Sequence, residues 1–235
     1  MENVDFTEIF ENVKKQYKRT NILILGKTGV GKSTLLNSVF GEDLAKTGSG
    51  KPCTENIKEY FKENYPIHLI DTKGLELKNY ELILNDLLTE IEKRRTNDPE
   101  NHIHIAWYCI NSLSNRIEEG ELNIIKKISS KIPVIVVLTQ TLNLEEIDFY
   151  NKIRDCTYTY AEVLRVLALP YRTPLGEIPI YGLKELVSKT IEKLPEAHKN
   201  AFAGAQQIDL SLKIKQARKI VAISAAAAAT IGMTP

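Results

Sequence analysis

A glycine-rich octapeptide near the start of the chain restricts the fold more than any other feature. It matches the pattern G-x-x-x-x-G-K-[ST] in full and consists of Gly26, Lys27, Thr28, Gly29, Val30, Gly31, Lys32 and Ser33. An apolar run, residues 21–25, precedes it, and residues 32–40 follow with a helical pattern that Gly41 ends. A strand, a glycine turn and a helix in this order predict a phosphate-binding loop in an α/β protein.

Each part of this loop has a predicted role towards a nucleoside triphosphate. Glycines let the backbone curl so that successive N–H groups point at phosphate oxygens, and the following helix adds its N-terminal dipole. Lys32 is expected to reach the β- and γ-phosphates and the Ser33 hydroxyl to ligate Mg²⁺. Thr34, the next residue of the helix, is included in the nucleotide-binding set. A glycine turn that binds no ligand is the alternative, which the flanking strand and helix argue against.

Three further residues, which lie later in the sequence, are predicted to complete the triphosphate site. Asp71 ends an apolar strand and begins a D-x-x-G pattern with Gly74. Because parallel strands of such a fold end on one edge, the Asp71 carboxylate is expected beside Ser33, holding Mg²⁺ through water, and the Gly74 N–H is expected at the γ-phosphate. Thr54, in the intervening loop, is expected to contact Mg²⁺ and the γ-phosphate. Two alternatives stay open: Thr54 faces solvent without binding a ligand, or Thr47 takes this role instead.

The alternation of apolar and helical patterns predicts the architecture. The predicted strands cover residues 21–25, 56–62, 66–70, 102–110, 132–138 and 162–169, and the predicted helices cover 2–19, 32–40, 79–95, 116–129, 144–155, 183–194 and 196–230. Strands and helices in alternation indicate βαβ units, and the three-residue joint before Pro66 indicates an antiparallel hairpin. We therefore predict an α/β, three-layer P-loop NTPase fold with a mostly parallel sheet, one antiparallel edge hairpin and flanking N- and C-terminal helices.

The same patterns divide the chain into three parts. Residues 1–19 are predicted as an amphipathic helix, 20–195 as the nucleotide-binding domain, and 196–235 as a helical extension. The extension carries the best candidate for a basic patch, formed by Lys213, Lys215, Arg218 and Lys219. Docking of this extension on its own domain, on a second copy or at a membrane interface are three open alternatives.

Charge and hydropathy narrow the classes of function. The 31 Lys and Arg residues against 30 Asp and Glu residues leave a formal net charge of +1, so no global field favours nucleic acid. No run reaches the roughly 18 apolar residues of a membrane span, and the acidic start of the chain is unlike a secretory signal. Three cysteines without C-x-x-C spacing fit a reducing compartment. We therefore expect a cytoplasmic protein, with peripheral membrane contact left open.

The motifs GKTGVGKS, Thr54 and DTKG at 71–74 resemble those of the translation-factor class of GTPases, in particular its Era-like branch. The resemblance covers about residues 20–195. It implies GTP and GDP as ligands, Mg²⁺ as cofactor, and a nucleotide-dependent switch with GTP hydrolysis. The catalytic candidates that it implies are Lys32, Thr54 and Gly74.

A second resemblance concerns residues 194–218. They are similar to the start of a C-terminal, partly hydrophobic domain of unknown function in bacterial GTPases, and the chain is expected to hold only its beginning. Related immunity-type and dynamin-like GTPases act on membranes. Two alternatives to a simple switch therefore stay open: a membrane-associated or self-assembling GTPase that dimerises across the nucleotide face, and a scaffold that binds nucleotide without hydrolysis.

Base recognition departs from the family pattern. The family reads guanine with [NT]-K-x-D after the central strand, and here Thr139 fits the first position. Gln140 replaces the lysine, and its apolar stem can still lie along the base. Leu142 stands where the aspartate belongs, so relaxed guanine selectivity is expected unless Glu145 or Glu146 is recruited.

The residue after the D-x-x-G pattern also differs from the family pattern. Related switch GTPases place a glutamine there that orients the attacking water, and here it is Leu75. A leucine cannot align water by a hydrogen bond. Slow intrinsic hydrolysis is therefore expected unless another residue, a monovalent cation or a partner supplies the missing group.

His102 and His104 are the one further pair that we considered as metal ligands. They alternate along a predicted strand and so are expected on the same face. Without a recognisable third ligand, two such histidines are more often partly buried polar neighbours.

Overall fold

A seven-stranded sheet with helices on both faces forms the centre of the protein. The computed structural model describes residues 17–41, 52–54, 57–61, 66–72, 80–142, 147–174 and 176–231. In chain order the elements are β1 (Thr20–Leu25), α1 (Lys32–Phe40), β2 (Pro52–Thr54), β3 (Ile57–Phe61), β4 (Ile67–Thr72), α2 (Tyr80–Asn97), β5 (Ile105–Asn111), α3 (Glu119–Ser129), β6 (Val134–Thr139), α4 (Ile147–Thr157), β7 (Glu162–Val166), β8 (Tyr171–Thr173), β9 (Gly176–Ile178), α5 (Leu183–Lys193), α6 (Glu196–Ala205) and α7 (Leu210–Ile231).

The strand order of the main sheet is β2-β3-β4-β1-β5-β6-β7. β1 pairs in parallel with β4 and β5, and β5, β6 and β7 continue the parallel part. β3 is antiparallel to both β2 and β4 and lies towards one edge. The predicted mostly parallel sheet with an antiparallel edge hairpin is therefore confirmed. β2 falls where the sequence indicated only a loop.

Side chains of the central strands alternate between two apolar cores. On β1, Ile22 and Ile24 face the core shared with α1, α5 and α6, whereas Leu23 and Leu25 face the core shared with α2, α3 and α4. Successive residues of a strand point to opposite faces, so strands this apolar require a helical layer on each side. The sequence and structure therefore agree on three layers, and the carboxyl ends of the parallel strands share one edge.

Helix α6 is part of the first of these cores. Phe202 of α6 is 0% exposed, and its ring meets Phe40 edge to face at a centroid distance of 5.8 Å and Trp107 at 6.3 Å. The Thr20 hydroxyl donates to the His198 carbonyl at 2.8 Å, which fastens α6 to the start of β1. The residues that follow Pro195 thus pack on the same sheet that carries the phosphate loop. The division of the chain into three domains remains a prediction.

The single long helix predicted over 196–230 is wrong, because the structure breaks it between α6 and α7. The Gln206 side chain is buried, and its Oε1 accepts hydrogen bonds from the backbone N–H groups of Ile208 (2.7 Å) and Asp209 (2.8 Å). Asp209 then caps α7 by accepting from the Leu212 N–H at 3.0 Å. These side-chain bonds to the backbone compete with helix continuation, so the chain turns here.

Three other parts of the chain need separate mention. The predicted helix 2–19 falls mainly on residues outside the described ranges, and residues 17–19 carry no helical assignment. The strand expected over 162–169 ends at Val166, and the short β8–β9 hairpin that follows was not predicted. Within the described residues, no helix combines the length and the hydropathy needed to cross a bilayer.

The two histidines considered as metal ligands make different contacts. The His102 ring bonds the Arg95 carbonyl at 2.8 Å, while His104 Nδ1 accepts from the Asn21 N–H at 3.0 Å. The His104 ring stacks on His198 of α6 with centroids 3.7 Å apart. Among the described residues no cluster of three metal-ligating side chains occurs. Both histidines precede β5, which begins at Ile105, so the prediction that they alternate along one strand is wrong.

Acidification is expected to destabilise the fold through His104. Burial, with smaller effects of His198 and His102, lowers the pKa of His104 from 6.5 to about 3. Between these values the unfolded chain binds a proton that the folded protein does not, so the free energy of unfolding should fall with decreasing pH. The loss is up to about 1.4 kcal/mol per pH unit, and stability is fully present above the unfolded pKa.

Urea denaturation in steps between about pH 7 and about pH 5 measures this slope. His104→Asn offers an acceptor to the Asn21 N–H but does not titrate, so its stability should fall less steeply than that of the wild type. His102→Asn, a matched change two residues away, should keep the wild-type slope. Equal slopes in the wild type and His104→Asn would contradict the prediction.

Candidate nucleotide-binding site

The glycine loop joins β1 to α1 at the carboxyl edge of the sheet. Gly26 has φ 133°, and a Cβ there would lie 2.3 Å from the Cys109 carbonyl oxygen, so only glycine fits between the loop and β5. Gly31, with φ 92°, is the residue from which α1 begins. Thr28 and Gly29 are exposed at the tip, and Ser33 is exposed in the first turn of α1. The tip of the loop and the first turn of α1 are therefore open to solvent.

Lys32 occupies the centre of this loop. Its side chain is largely buried, and Nζ donates to the carbonyl oxygens of Gly26 (2.8 Å) and Lys27 (3.0 Å). An ammonium group has three donors, so these two bonds use two of them. The loop therefore holds a positive charge at its middle, where burial keeps most water away from the charge.

Lys27 points away from that centre. Its Nζ donates to Glu118 (2.8 Å) and to Glu121 (3.1 Å) at the start of α3, where Glu121 is only 3% exposed. Burial lowers the pKa of Lys27, but these two hydrogen bonds outweigh it, and the pKa is raised overall. The Lys27 backbone can therefore still bind a nucleotide, while the Lys27 side chain holds the loop against the start of α3.

Asp71 lies at the carboxyl end of β4, the strand next to β1. It is in register with Ile24, and the Thr72 hydroxyl donates to the Ile24 carbonyl at 3.3 Å. Burial raises the pKa of the Cys109 thiol to about 12, an effect that Lys32 opposes and Asp71 reinforces. The two charges thus act on the same buried thiol, and both lie at the carboxyl edge of the sheet.

The other residues predicted to meet the γ-phosphate or the metal are described in part. Thr54 ends β2 and pairs with Ile57, the first residue of β3. The remaining positions, all outside the described residues, are Thr47, Gly74, Leu75, Glu145 and Glu146. Their roles remain predictions.

An ion-pair network connects the edge hairpin with α2. Glu59 of β3 pairs with Arg94 of α2, which also binds Glu90 at 2.6 Å, and Glu59 Oε2 lies 3.0 Å from His68 Nε2. The interaction with His68, supported by Arg94, lowers the pKa of Glu59 to about 2. The hairpin precedes residues 73–79 and α2 follows them, so the network joins the two elements on either side of the segment that contains Gly74.

Beside the loop lies a cavity of about 320 Å³. One wall comes from the loop, from α1 and from the end of β6, and consists of Gly31, Thr34, Thr139, Gln140 and Leu142. The Thr139 hydroxyl lies within hydrogen-bonding distance of the carbonyls of Val30 and Ile110, which ties the end of β6 to the loop. Gln140 adopts φ 54°, and a Cβ on Gly31 would lie 3.7 Å from its Nε2.

The opposite wall was not identified from the sequence. It consists of Leu113 together with Leu167, Ala168, Leu169, Pro170 and Tyr171, which follow β7. The Ser38 hydroxyl of α1 donates to the Ala168 carbonyl at 3.0 Å, and the Tyr181 hydroxyl donates to the Thr141 carbonyl at 2.8 Å. The observed strand ends at Val166, four residues before Pro170. That the segment formed by residues 167–171 turns back onto α1 could not be predicted from the sequence.

The predicted cofactor-binding residues therefore fall into two adjoining regions. The glycine loop with Lys32 and Ser33 brings an ammonium group to the N-terminus of α1, and Thr34, Thr139 and Gln140 line the cavity next to the loop. Gly31 belongs to both. Such an arrangement suits an anionic ligand that carries a flat, mostly apolar group at one end.

Comparison with known proteins identifies related sequences. A family described as 50S ribosome-binding GTPase matches residues 21–140. The GTPase Era of Clostridium acetobutylicum is 30% identical over 128 residues, which cover 53% of this chain and 40% of that protein. The neuronal-specific septin-3 of Rattus norvegicus is 24% identical over 181 residues, which cover 62% of this chain and 50% of that protein.

Two further facts set the scope of these similarities. The chain spans 40% to 58% of the lengths of the Era proteins that it matches. Among solved structures, a probable GTP-binding protein engB matches with a TM-score of 0.52 and 17% identity, over 74% of this chain and 97% of that one. This likeness supports the fold.

Proposed function

This chain belongs to the family of 50S ribosome-binding GTPases, and from that membership and the geometry of its loop we propose that it is a molecular switch that binds and slowly hydrolyses GTP with Mg²⁺. The observation that carries the proposal is the buried Lys32 ammonium, held by two loop carbonyls at the N-terminus of α1. A positive charge at the N-terminus of a helix, where the helix dipole adds to it, is the environment that a triphosphate needs.

The residues of the loop have distinct roles in this proposal. Lys32 binds the β- and γ-phosphates with its ammonium group, and the loop N–H groups from Gly29 onward bind the phosphate oxygens. Lys27 keeps the loop in place through its bonds to Glu118 and Glu121. The cavity lined by Thr139 and Gln140 holds the base.

The residues also fit Mg²⁺. A serine hydroxyl and a carboxylate are the hard oxygen donors that this ion prefers, and Ser33 and Asp71 bring one of each to the carboxyl edge of the sheet. Mg²⁺, when bound, neutralises the charge that develops on the phosphate oxygens. Ser33 would ligate the ion directly and Asp71 through water, with Thr54 as the further ligand proposed from the sequence.

The switch part of the proposal concerns Thr54 and Gly74. Both would contact the γ-phosphate and lose that contact after hydrolysis, so that the segments carrying them differ between the two states. Leu75 offers no hydrogen bond to water, and turnover is therefore expected to be slow. A homodimer across the nucleotide face, membrane contact through the C-terminal region and a cytoplasmic location remain predictions.

Loss of the Asp71 carboxylate tests the proposal. Asp71→Asn should weaken binding of GTP in the presence of Mg²⁺ by about 10-fold to 100-fold, which is typical when a partner of a metal-bound ligand is removed. The binding that remains should depend little on Mg²⁺. Calorimetric titration with GTP, in Mg²⁺ and in EDTA, measures both effects.

Asp148→Asn, an exposed position on α4, is the matched control and should bind like the wild type. Steady release of phosphate from GTP by the wild type completes the test. A wild-type chain that binds GTP equally well with and without Mg²⁺, or an Asp71→Asn variant that retains full Mg²⁺ dependence, would contradict the metal assignment. A wild-type chain that binds no nucleotide would contradict the proposed function as a whole.

A further inference from the structure

We propose that the cavity beside the loop accepts a purine base without selecting guanine, so that the chain binds ATP and GTP with comparable affinity. The inference rests on the proposed function, because it assigns the base of the bound nucleotide to this cavity. It is drawn from the chemistry of the walls, from the groups that remain for hydrogen bonding and from the residue at position 142.

The cavity is placed and sized for a base. It shares Gly31 with the glycine loop and is lined by Thr34 in the first turn of α1. A ligand whose phosphates lie in the loop can therefore extend into it without crossing another element. Its volume of about 320 Å³ is at the lower end of the range for small-ligand pockets. A single bicyclic base is the part of a nucleotide that suits this space.

The walls offer apolar contact with little charge. Leu113, Leu142, Leu167 and Leu169 provide aliphatic surface, and Tyr171 provides an aromatic ring. Of the residues described as lining the cavity, none carries a carboxylate. Such walls can hold the faces of adenine and guanine alike, since both bases are flat and share the bicyclic frame.

The polar groups of the walls do not distinguish the two bases. The Thr139 hydroxyl is engaged with the carbonyls of Val30 and Ile110, and the Ala168 carbonyl already accepts from Ser38. Thr34, Gln140 and Tyr171 are the other polar side chains of the lining, and each carries both a donor and an acceptor. The Gln140 amide can pair with the edge of either purine, because a rotation of about 180° exchanges its oxygen and its nitrogen. A carboxylate can only accept hydrogen bonds, so it favours the N1 and N2 donors of guanine.

Leu142 is the position that decides the selectivity. It is half buried and lines the cavity, with its backbone next to the Thr141 carbonyl that Tyr181 holds. Leucine and aspartate both branch at Cγ, so a carboxylate introduced here would start from the same place in the wall. Selectivity for guanine should therefore appear when Leu142 is replaced by aspartate.

Calorimetric titration of the whole chain with Mg²⁺–GTP and Mg²⁺–ATP tests the inference. In the wild type the two dissociation constants should differ by less than about 10-fold. Leu142→Asp should favour GTP over ATP by at least about 30-fold more than the wild type does, because the added carboxylate can accept from the N1 and N2 donors of guanine together, whereas adenine has only its N6 amino donor. The neutral isostere Leu142→Asn should not produce this preference.

Each outcome decides the question. A wild type whose dissociation constants for GTP and ATP differ by about 10-fold or more overturns the inference, as does a folded Leu142→Asp variant with an unchanged ratio. If Leu142→Asp does not fold by circular dichroism, the wild-type ratio alone decides. A wild type that binds neither nucleotide would instead refute the proposed function, so the two failures are distinguishable.

Discussion

Replacing Lys32 with alanine is expected to weaken the binding of Mg²⁺–GTP by at least about 100-fold, or about 2.7 kcal/mol. Lys32 is 9% exposed as a whole residue and its ammonium group lies in the middle of the glycine loop, so it would meet phosphate oxygens with little screening by water. Hydrogen bonds to charged groups contribute roughly 1.5–3 kcal/mol each, and Lys32 is proposed to contact two phosphates. Calorimetric titration measures the change.

The matched control is Lys126→Ala, which removes an exposed ammonium from α3 and should leave the affinity unchanged. The Lys32→Ala variant also loses the bonds to the Gly26 and Lys27 carbonyls, so its thermal unfolding has to be recorded beside the titration. A variant that folds like the wild type and binds nucleotide with the same affinity would refute the assignment of the phosphate site.

Phe202→Ala is expected to lower the free energy of unfolding by about 3–5 kcal/mol, the usual cost of truncating a buried aromatic residue. Phe202 is 0% exposed and meets the rings of Phe40 and Trp107 edge to face. These neighbours belong to α1 and β5, which cannot close the space without moving. Urea denaturation, monitored by circular dichroism, gives the difference in free energy.

Ile214→Ala in α7 provides the comparison. Ile214 is 43% exposed, so its truncation should cost less than about 1 kcal/mol. A loss below about 1 kcal/mol for Phe202→Ala as well would mean that α6 does not pack on the sheet in solution. A large loss would show that the nucleotide-binding fold depends on residues beyond Pro195.

The parts of the fold that the sequence predicted are those with a local signal. The bounds of α1 follow from the loop pattern before Lys32 and from Gly41 after Phe40, and both signals lie within a few residues of the helix. The antiparallel pairing of β3 with β4 follows from the short joint between them. The central strands follow from apolar runs that only a buried parallel sheet can accommodate.

The parts that were missed depend on residues distant in the chain. β2 has three residues and exists by its pairing with β3. The second wall of the cavity depends on Ser38 reaching the Ala168 carbonyl, 130 residues away. The break before α7 depends on the burial of Gln206 and on the hydrogen bond that Asp209 accepts from the Leu212 N–H.

The candidate site shows the same division. The phosphate loop could be recognised from eight consecutive residues, and Asp71 from its place at the end of an apolar strand. The direction of the Lys27 side chain could not be read from the sequence, because its partners Glu118 and Glu121 come 91 and 94 residues later. Leu142 could be recognised as a departure, and the structure places it in the wall of the cavity.

The turn between α6 and α7 fixes the direction in which the chain leaves the nucleotide-binding fold. The Gln207 N–H donates to the Val39 carbonyl at 2.8 Å, in the last turn of the helix whose first turn carries Lys32 and Ser33. Helix α1 thus follows the phosphate loop at its N-terminus and, near its C-terminus, binds the turn that precedes α7. A change in the tilt of α1 would therefore reorient α7. Any segment joined to the C-terminal end of α7 would be displaced further than α1 itself.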